Sequence, residues 1–510
     1  MEEDFIRSIK HTVPIRVKGE IMLLSALLKK AEIEYSGTDC EIEHVVCDSR
    51  KVEANSLFVC ISGFASDGHA YAMRAYDLGC RAFVVEKDVD IPSDAIIIKQ
   101  DNTRISLAKI SAAFFDFPAR KLKVIGITGT KGKTTTALML SSIANKCGFS
   151  AGYIGSNGID FAGNHYETGN TTPESIDLHY YFAEMVKANV EFVFLEVSSQ
   201  ALYLDRVYGI PFHISVFTNL APDHIGGVEH PTFEHYRDSK KKLFCEYDSD
   251  FVVYNYEDEA SEYMLKGCYS LLCSYGYEKG DFHASNVEPF AKGGVLGVKF
   301  TAHACDFTTE VALPMPGNFS VTNAMCAITV AYRIGISLED SAAALENTFA
   351  EGRFEIVKTK LDTVFVIDYA HNGFSLTNAL ETLGEYSRGK LWCVVGSVGG
   401  RTKGRRAELG SVASRLADVV VLTADNPDFE DATEICNEMH AAFERDIPCE
   451  IIPDRKQAIE YVMKNAAADD IVLFAGKGHE QYQLINGGKE PFSERDIIEK
   501  YALEIAAEYV

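Results

Sequence analysis

A glycine-rich stretch with two lysines and several threonines carries the clearest chemical pattern in this sequence. It reads GITGTKGKTTT from Gly126 to Thr136, and it follows the β-branched run KVIGIT. A loop between a strand and a helix can point its N–H groups at a phosphate, and glycine permits close approach of the backbone. The pattern predicts a phosphate-binding loop made of Thr128, Gly129, Thr130, Lys131, Gly132, Lys133, Thr134 and Thr135.

Lys133 and Thr134 are the residues of this loop expected to do chemistry. Lys133 can reach the terminal phosphates of a nucleotide, and the Thr134 hydroxyl can ligate Mg²⁺. The spacing departs from the standard GxxxxGK[ST] pattern because Gly126 lies one residue too far back. A glycine-rich turn with a surface lysine is therefore the alternative interpretation, and the strand–loop–helix context argues against it.

Two more side chains with metal-binding chemistry follow predicted strands. Glu196 ends the run EFVFLE, and His224 follows HISVFTNL in APDHIGG. A carboxylate beside a phosphate loop favours Mg²⁺ binding, although a glutamate next to Ser198 and Ser199 could instead cap a helix. A single histidine is usually structural or solvated, so His224 by itself does not establish a metal site.

The acidic loop ADNPDFED, residues 424–431, follows the apolar run DVVVLT. Ligands bind at the carboxyl ends of parallel strands, so the loop is a candidate binding element. A solvated acidic turn is the alternative, because Asp, Asn and Pro are also the residues of ordinary turns.

Composition limits the classes of protein that fit. The 510 residues carry a net charge of −25, which argues against a broad nucleic-acid or anionic-membrane surface. Thirteen cysteines occur without a CxxC pair, as expected of a reduced cytoplasmic chain. The start MEEDFIRSIKHT lacks a signal-peptide core, and no apolar run approaches a membrane span.

The order of apolar runs and glycine-rich turns predicts a doubly wound α/β protein with three domains. Short Val-, Ile- and Phe-rich runs ending in turn residues are typical of buried parallel strands. We expect a smaller N-terminal α/β domain at 1–115, a central phosphate-loop domain with a parallel sheet at 116–350, and a C-terminal Rossmann-like domain at 351–510. The strands are predicted in KVIGITGT, EFVFLEVSS, HISVFTNL, TVFVIDYAH, LWCVVGS, DVVVLTADN and DIVLFAGKG.

Many ordered motifs together resemble the Mur ligase family, and within it the UDP-N-acetylmuramoyl-tripeptide synthetases. The similarity covers nearly the whole chain. The motifs that carry it are CDSRKVEANSLFVCISGFASDGHAYAMRA, GITGTKGKTTT, GNTTPESIDLH, EVSSQALYLDRVYG, TNLAPDHIGGVEHPTFEHYRDSKKKLF, PMPGNFSVTNAMCA, EGRFEIV, VIDYAHNG, TADNPDFED and AGKGHEQYQ.

The resemblance implies a peptidoglycan-precursor ligase that acts in the cytoplasm. ATP would phosphorylate the D-glutamate carboxylate of UDP-MurNAc-L-Ala-D-Glu, and an incoming amine would attack the acyl phosphate. It implies ATP and Mg²⁺ as cofactors, small-molecule substrates, no nucleic acid, no membrane insertion and a monomeric state. It also implies that Lys240, in YRDSKKKLF, is carbamylated and binds a second Mg²⁺, whereas Lys241 and Lys242 form a solvated basic face.

The resemblance further implies roles for single residues. Lys133, Lys240 and His224 would be catalytic, and Thr134, Glu196, His224 and Lys240 would ligate metal. ATP would contact Asn323, Arg353 and Asp368 in addition to the phosphate loop. The UDP-sugar peptide would contact Ser49, Thr171, Thr172, Ser198 and Arg206. The amino acid would contact Arg401, Asp425, Asn426, Pro427, Asp428, Gly476 and Glu480. Gln200 and Leu204 depart from residues found in relatives, so their contacts are not carried over.

The acidic loop bears on which amino acid is added. Relatives that add meso-diaminopimelate usually read Asp-Asn-Pro-Arg, and the arginine pairs with the distal carboxylate. Asp428 stands in its place and would repel that group, whereas the ammonium of L-lysine suits an acidic pocket. We therefore expect an L-lysine ligase, with meso-diaminopimelate or ornithine as alternatives. Gly476 and Glu480 of AGKGHE argue the other way, because in diaminopimelate ligases they contact the distal amino acid centre, although Glu480 could equally face the ε-ammonium of lysine.

Two other functions remain as alternatives. A ligase similar to folylpolyglutamate synthase would share the phosphate loop, but it would lack the N-terminal uridine-nucleotide domain. A non-catalytic nucleotide-binding module would need only the phosphate loop, and it would leave Glu196, His224 and Lys240 unexplained.

Overall fold

The computed structural model describes residues 21–63, 66–223, 225–226, 229–292, 295–348, 352–400 and 403–508. Two compact units are present, and each is described by itself. The first comprises Met1–Phe282 and Cys326–Ser337, and the second comprises His283–Met325 and Leu338–Val510. The predicted boundaries of three domains stay predictions.

The first part of unit one is a small α/β layer around a four-stranded parallel sheet of order β3-β4-β5-β6. Its apolar strands pack against helix α3, whose N-cap is Asn102. The elements are β1 (Met22–Leu23), α1 (Leu24–Lys30), β2 (Glu41–Ile42), β3 (His44–Val46), β4 (Ser56–Val59), α2 (Ala72–Asp77), β5 (Ala82–Val85), β6 (Ile96–Lys99) and α3 (Thr103–Phe114).

The second part of unit one is a sheet of order β10-β9-β8-β11-β7-β12-β13-β14, parallel from β8 to β14. The elements are β7 (Lys123–Thr128), α4 (Lys133–Lys146), β8 (Ala151–Gly155), β9 (Gly158–Phe161), β10 (Asn164–Tyr166), α5 (Ser175–Lys187), β11 (Phe192–Glu196), α6 (Ser199–Tyr203), β12 (Phe212–Phe217), α7 (Phe233–Cys245), β13 (Ser249–Asn255), α8 (Ser261–Leu265) and β14 (Leu271–Tyr275).

The central strands β7, β8, β11 and β12 are buried on both faces, as their continuous apolar runs predict. The predicted helix after the phosphate loop is confirmed as α4. It stops before Gly148, whose φ of +87° is the left-handed conformation of a helix C-terminus. The chain then continues through β15 (Phe282–Lys292), β16 (Val295–Ala304), β17 (Phe307–Leu313), α9 (Asn318–Arg333) and α10 (Leu338–Leu345).

Unit two contains a six-stranded sheet of order β18-β19-β23-β20-β21-β22, parallel except for β18. The elements are β18 (Glu355–Val357), β19 (Val364–Asp368), α11 (Gly373–Gly384), β20 (Leu391–Val395), α12 (Lys403–Leu416), β21 (Val419–Leu422), α13 (Ala432–His440), β22 (Cys449–Ile451), α14 (Arg455–Asn465), β23 (Ile471–Ala475), β24 (Tyr482–Ile485), β25 (Gly488–Pro491) and α15 (Glu494–Glu508).

Two sequence-based expectations about the whole chain can be compared with the structure. All thirteen cysteines are free thiols in the structure. Among the described residues, no helix is both long and apolar enough to cross a membrane.

Buried His179 gives unit one a testable sensitivity to acid. It lies on α5 at 2% exposure, and its Nδ1 has no hydrogen-bond partner among the described residues. Burial lowers the pKa of His179 from 6.5 to about 3. Between these pH values the unfolded chain binds a proton that the folded chain does not, so stability falls as pH falls below 6.5.

The unchanged protein should lose unfolding free energy between pH 7 and pH 5. We expect this loss to be smaller by about 2 kcal/mol in His179→Leu, because leucine does not titrate. Urea unfolding midpoints of the variant and the unchanged protein at both pH values measure this difference. The exposed His440→Leu is the control. Equal loss in the His179 variant and the unchanged protein would contradict the assignment.

Candidate active site

The phosphate loop lies where β7 ends and α4 begins. Gly129 has φ +152° and Gly132 has φ +85°, so both occupy backbone conformations that side chains disfavour. A Cβ at Gly129 would also lie 1.9 Å from Thr218 Oγ1, so only glycine fits there. The Thr128 hydroxyl, at the strand end, is buried without a hydrogen-bond partner among the described residues. The loop therefore has the form that a bound phosphate requires.

Two lysine amino groups meet at one carbonyl of this loop. Lys133 Nζ donates to Gly129 O at 2.9 Å and to Thr130 O at 3.1 Å. Lys240 Nζ, from α7, donates to the same Gly129 O at 2.8 Å, and the residue is 2% exposed. Burial, together with the charge of Lys133, lowers the pKa of Lys240 well below 10.5. Tertiary structure thus brings the two predicted catalytic lysines together.

Glu196 lies beside the first turn of α4. Its Oε2 accepts a hydrogen bond from Thr134 Oγ1 at 2.9 Å, and its Oε1 accepts one from Tyr153 at 2.6 Å. A buried carboxylate next to a threonine hydroxyl is a pair of hard oxygen ligands, which fits Mg²⁺. The predicted ligand His224 lies outside the described residues. Within those residues, no group of three His, Cys, Asp or Glu side chains forms a metal cluster.

Polar residues that the sequence did not single out support the loop from β12 and α7. Asn219 Oδ1 accepts from the Lys131 N–H at 2.9 Å, and Tyr236 OH lies 3.0 Å from Thr130 Oγ1. Lys131 Nζ forms an ion pair with Asp223 at 3.1 Å, so this lysine stabilises the loop. The partners in these contacts are about ninety residues or more apart in the sequence, so no local pattern indicates them.

Four of the predicted sugar-peptide residues lie close to Glu196. Thr171 Oγ1 lies 3.0 Å from Ser156 Oγ, and Thr172 Oγ1 donates to Glu196 O at 2.8 Å. The Ser198 N–H donates to Thr172 Oγ1 at 3.0 Å, and Arg206 donates to Thr172 O at 3.1 Å.

Two predicted sugar-peptide residues, Arg206 and Ser49, lie beside charged residues of unit one. Arg206 is 7% exposed and forms an ion pair with Glu174 at 2.8 Å, so part of its charge is already neutralised. Ser49 begins a 3₁₀ turn, Ser49–Lys51, and Lys51 of that turn lies 3.9 Å from Asp177 on α5.

Two of the three predicted nucleotide contacts of unit two, Asp368 and Arg353, have partners within that unit. Asp368 ends β19 and accepts the Phe354 N–H at 2.9 Å. The Arg353 guanidinium lies over the Tyr369 ring at 4.8 Å, and its Nε has no hydrogen-bond partner among the described residues. Asn323 is nearly buried on α9 at 7% exposure.

A fully buried lysine connects the predicted amino-acid-binding residues. Lys477 Nζ donates to Asn426 Oδ1 and to Glu480 Oε2, each at 2.9 Å, and lies 3.7 Å from Asp425 Oδ1. Burial raises the pKa of Asp425, whose Oδ1 accepts no hydrogen bond from the described residues. Gly476 adjoins Asp425, since a Cβ there would lie 3.1 Å from Asp425 Oδ2. Lys477 was not predicted, although it lies inside AGKGHE.

Asp428 forms hydrogen bonds with the hairpin of β24 and β25. Its N–H donates to Leu484 O, its carbonyl accepts the Asn486 N–H, and its Oδ1 accepts the Gly487 N–H at 2.7 Å. Pro427, just before it, is buried. The Asp428 carboxylate therefore caps a turn, a role that the sequence-based comparison with arginine did not include.

Two of the three arginines of GGRTKGRR, Arg401 and Arg406, bear on the predicted amino-acid site. Arg401, predicted to bind the α-carboxylate, lies outside the described residues. Arg406 is 2% exposed and forms ion pairs with Glu430 at 2.6 Å and Glu438 at 2.7 Å, so it is not a solvated side chain.

The fold and these residues define a nucleotide-binding α/β protein with a phosphate loop in one unit and a buried polar cluster in another. Family models match most of the chain: the catalytic domain of the Mur ligase family at 41–115, the Mur ligase middle domain at 127–331 and the Mur ligase glutamate ligase domain at 352–478. The chain belongs to the Mur ligase family.

The similarity to individual relatives extends over nearly the whole length of both chains. The UDP-N-acetylmuramoyl-L-alanyl-D-glutamate–2,6-diaminopimelate ligase of Clostridium botulinum is 38% identical over 492 residues, covering 95% of this chain and 100% of that protein. The ligase of the same name from Geobacillus kaustophilus is 37% identical, covering 91% and 95%. A solved diaminopimelate ligase of this type has a TM-score of 0.69 at 26% identity, covering 95% and 99%.

These comparisons confirm the predicted family and the α/β fold. The names of the relatives specify diaminopimelate, so they do not support the predicted lysine-adding branch.

Proposed function

We propose that this chain is an ATP-dependent ligase that joins an amino acid to the D-glutamate carboxylate of UDP-N-acetylmuramoyl-L-alanyl-D-glutamate. The observation that carries the proposal is the meeting of Lys133, Lys240, Thr134 and Glu196 around one phosphate loop. The names and coverage of the relatives support the same reaction.

The residues of unit one suit the first step, in which a carboxylate oxygen attacks the γ-phosphorus of ATP and ADP leaves. Both reactants are anionic, so cationic and N–H groups must offset their repulsion. Lys133 and the loop N–H groups would bind the phosphates. Thr134, Glu196 and a carbamylated Lys240 would hold Mg²⁺, which when bound supplies further positive charge.

The low pKa of Lys240 supports its carbamylation. Only a neutral amine attacks CO₂, and burial beside Lys133 favours the neutral form. The carbamate would convert a lysine into an anionic oxygen ligand.

The residues of unit two suit the second substrate, an amine that attacks the acyl phosphate and displaces phosphate. Asp425 and Glu480 bring two carboxylates to one cluster, and Lys477 offsets one of them. An ammonium group of the incoming amino acid would offset the other, with Asp425 Oδ1, which accepts no hydrogen bond from the described residues, as its acceptor. Such a cluster favours a substrate with a second amino group.

We propose meso-diaminopimelate as the amino acid, because the relatives carry it in their names. L-lysine is the second candidate, and Asp428 is the observation that favours it. The hydrogen bond from Gly487 to Asp428 weakens that argument, because it gives the carboxylate a structural reason to be present.

An amino-acid panel tests both choices. Phosphate release is measured with ATP, Mg²⁺ and the UDP-dipeptide, plus meso-diaminopimelate, L-lysine or L-ornithine. We expect kcat/KM for diaminopimelate to exceed that for lysine by at least about 10²-fold, because a site built for a distal carboxylate rejects a substrate lacking it. Faster turnover with lysine would refute the choice of diaminopimelate, and no turnover with any amine would refute the ligase.

Asp428→Asn separates turn capping from ligand binding. Asparagine keeps an oxygen for the Gly487 N–H but removes the charge. We expect the KM of the preferred amino acid to change less than about threefold. If Asp428 instead pairs with a lysine ammonium, the KM for lysine would rise about 10–100-fold, the value of a charged hydrogen bond.

A further inference from the structure

Tyr153 contacts Glu196 from the neighbouring strand. Tyr153 on β8 and Glu196 on β11 are both fully buried, at 0% exposure. The parallel register pairs Tyr153 with Phe194, two residues before Glu196, so both side chains lie on the same face of the sheet. The Tyr153 hydroxyl donates to Glu196 Oε1 at 2.6 Å and accepts the Asn157 N–H at 3.2 Å. The ring thus bridges β8 and the carboxylate.

The two oxygens of Glu196 have different partners. Oε1 receives the Tyr153 hydroxyl and the Ser156 N–H at 3.0 Å, which together use its two lone pairs. Oε2 receives the Thr134 hydroxyl at 2.9 Å, with Ser156 Oγ farther away at 3.4 Å. Oε2 is therefore the oxygen that lies toward the phosphate loop.

The backbone at Gly155 also holds Tyr153 and Glu196 in this arrangement. A Cβ at Gly155 would lie 2.1 Å from Glu196 Oε1 and 2.3 Å from the Tyr153 hydroxyl. The carboxylate and the phenol therefore lie directly against the backbone at residue 155.

We propose that Tyr153 is a positioning residue that occupies Glu196 Oε1 and thereby directs Oε2 to Mg²⁺ bound with the nucleotide. The inference rests on the proposed function, because it takes Glu196 as a ligand of that ion. Partners that orient a ligating side chain commonly change metal affinity about 10–100-fold when they are removed.

Tyr153→Phe in the full chain tests the proposal, because it removes one buried oxygen and leaves the ring. The measurement is the Kd of a fluorescent, non-hydrolysable ATP analogue, once with Mg²⁺ and once with EDTA. We expect the tightening produced by Mg²⁺ to fall about tenfold or more in the variant. The Kd in EDTA should stay within about twofold of the unchanged protein, since the N–H and lysine contacts of the loop persist.

Tyr181→Phe is the matched control. Tyr181 is also buried in unit one, at 2% exposure, but its hydroxyl has no hydrogen-bond partner among the described residues. This variant should keep the full effect of Mg²⁺. A purely structural role for Tyr153 would weaken binding equally with Mg²⁺ and with EDTA.

The outcomes separate this inference from the proposed function. Unchanged Mg²⁺ tightening in Tyr153→Phe, or equal weakening with Mg²⁺ and EDTA, would overturn the positioning role and leave the ligase intact. If Mg²⁺ fails to tighten nucleotide binding in the unchanged protein, both the metal site and the role of Tyr153 are refuted. A variant that no longer binds the analogue in EDTA, while Tyr181→Phe does, would also overturn the role, because the hydroxyl would then serve folding.

Discussion

Lys240→Ala is expected to lower ATP- and amino-acid-dependent phosphate release by about 10²–10³-fold, the usual effect of removing one preorganised electrostatic group. Lys240 is buried, and its Nζ donates to Gly129 O at 2.8 Å in the phosphate loop. Alanine removes both that contact and the amine from which a carbamate would form. Steady-state phosphate release with both substrates saturating measures the loss.

A short-chain carboxylate such as propionate should restore part of this activity. It can occupy the space that the Lys240 side chain leaves in the variant and supply the anionic oxygens of the missing carbamate. Lys242→Ala is the control, since Lys242 is half-buried and lies 4.0 Å from Glu246. Full activity in Lys240→Ala would remove this lysine from the mechanism. Loss without any rescue would leave Lys240 a role in the loop but would argue against a carbamate.

Lys477→Met should have the second large effect. Lys477 has a fully buried ammonium beside Asp425, Asn426 and Glu480. Removing one partner of a buried charge pair leaves the other uncompensated and typically costs about 3–5 kcal/mol. We expect a lower urea midpoint for unit two and a raised KM for the amino acid, with the Kd for ATP analogues little changed.

Two further variants make this test specific. Lys456→Met, at an exposed lysine of α14, should change neither quantity. Lys477→Met combined with Asp425→Asn should recover part of the stability, because one of the unpaired charges is gone. It should not recover the KM, since Asp425 is a proposed contact of the substrate. If Lys477→Met leaves both the urea midpoint and the KM unchanged, the Lys477 ammonium does not offset the carboxylates of Asp425 and Glu480 as proposed.

Local patterns were sufficient for the strands and the phosphate loop. The run KVIGIT is a buried parallel strand, and the glycines after it have the positive φ angles that such a loop needs. These features depend on neighbouring residues, since alternation, β-branching and glycine act within a few positions. The same holds for the end of α4 at Gly148.

Contacts between distant residues could not be predicted in this way. Tyr153 is 43 residues from Glu196, and Lys477 is 51 residues from Asn426. Nothing in GYIG indicates a tyrosine whose hydroxyl reaches a carboxylate on β11, the third strand after its own in the chain. The lysine of AGKGHE has no pattern that distinguishes a buried cation from a phosphate ligand.

Asp428 shows most clearly where the two kinds of information differ. By itself the sequence determined that a carboxylate, that of Asp428, occupies a loop after a buried strand. Only tertiary structure decided that the Gly487 N–H, 59 residues away, donates to that carboxylate. The residue type fixes the charge, whereas the fold fixes its partner, because a hydrogen bond requires donor and acceptor to lie within about 3 Å of each other.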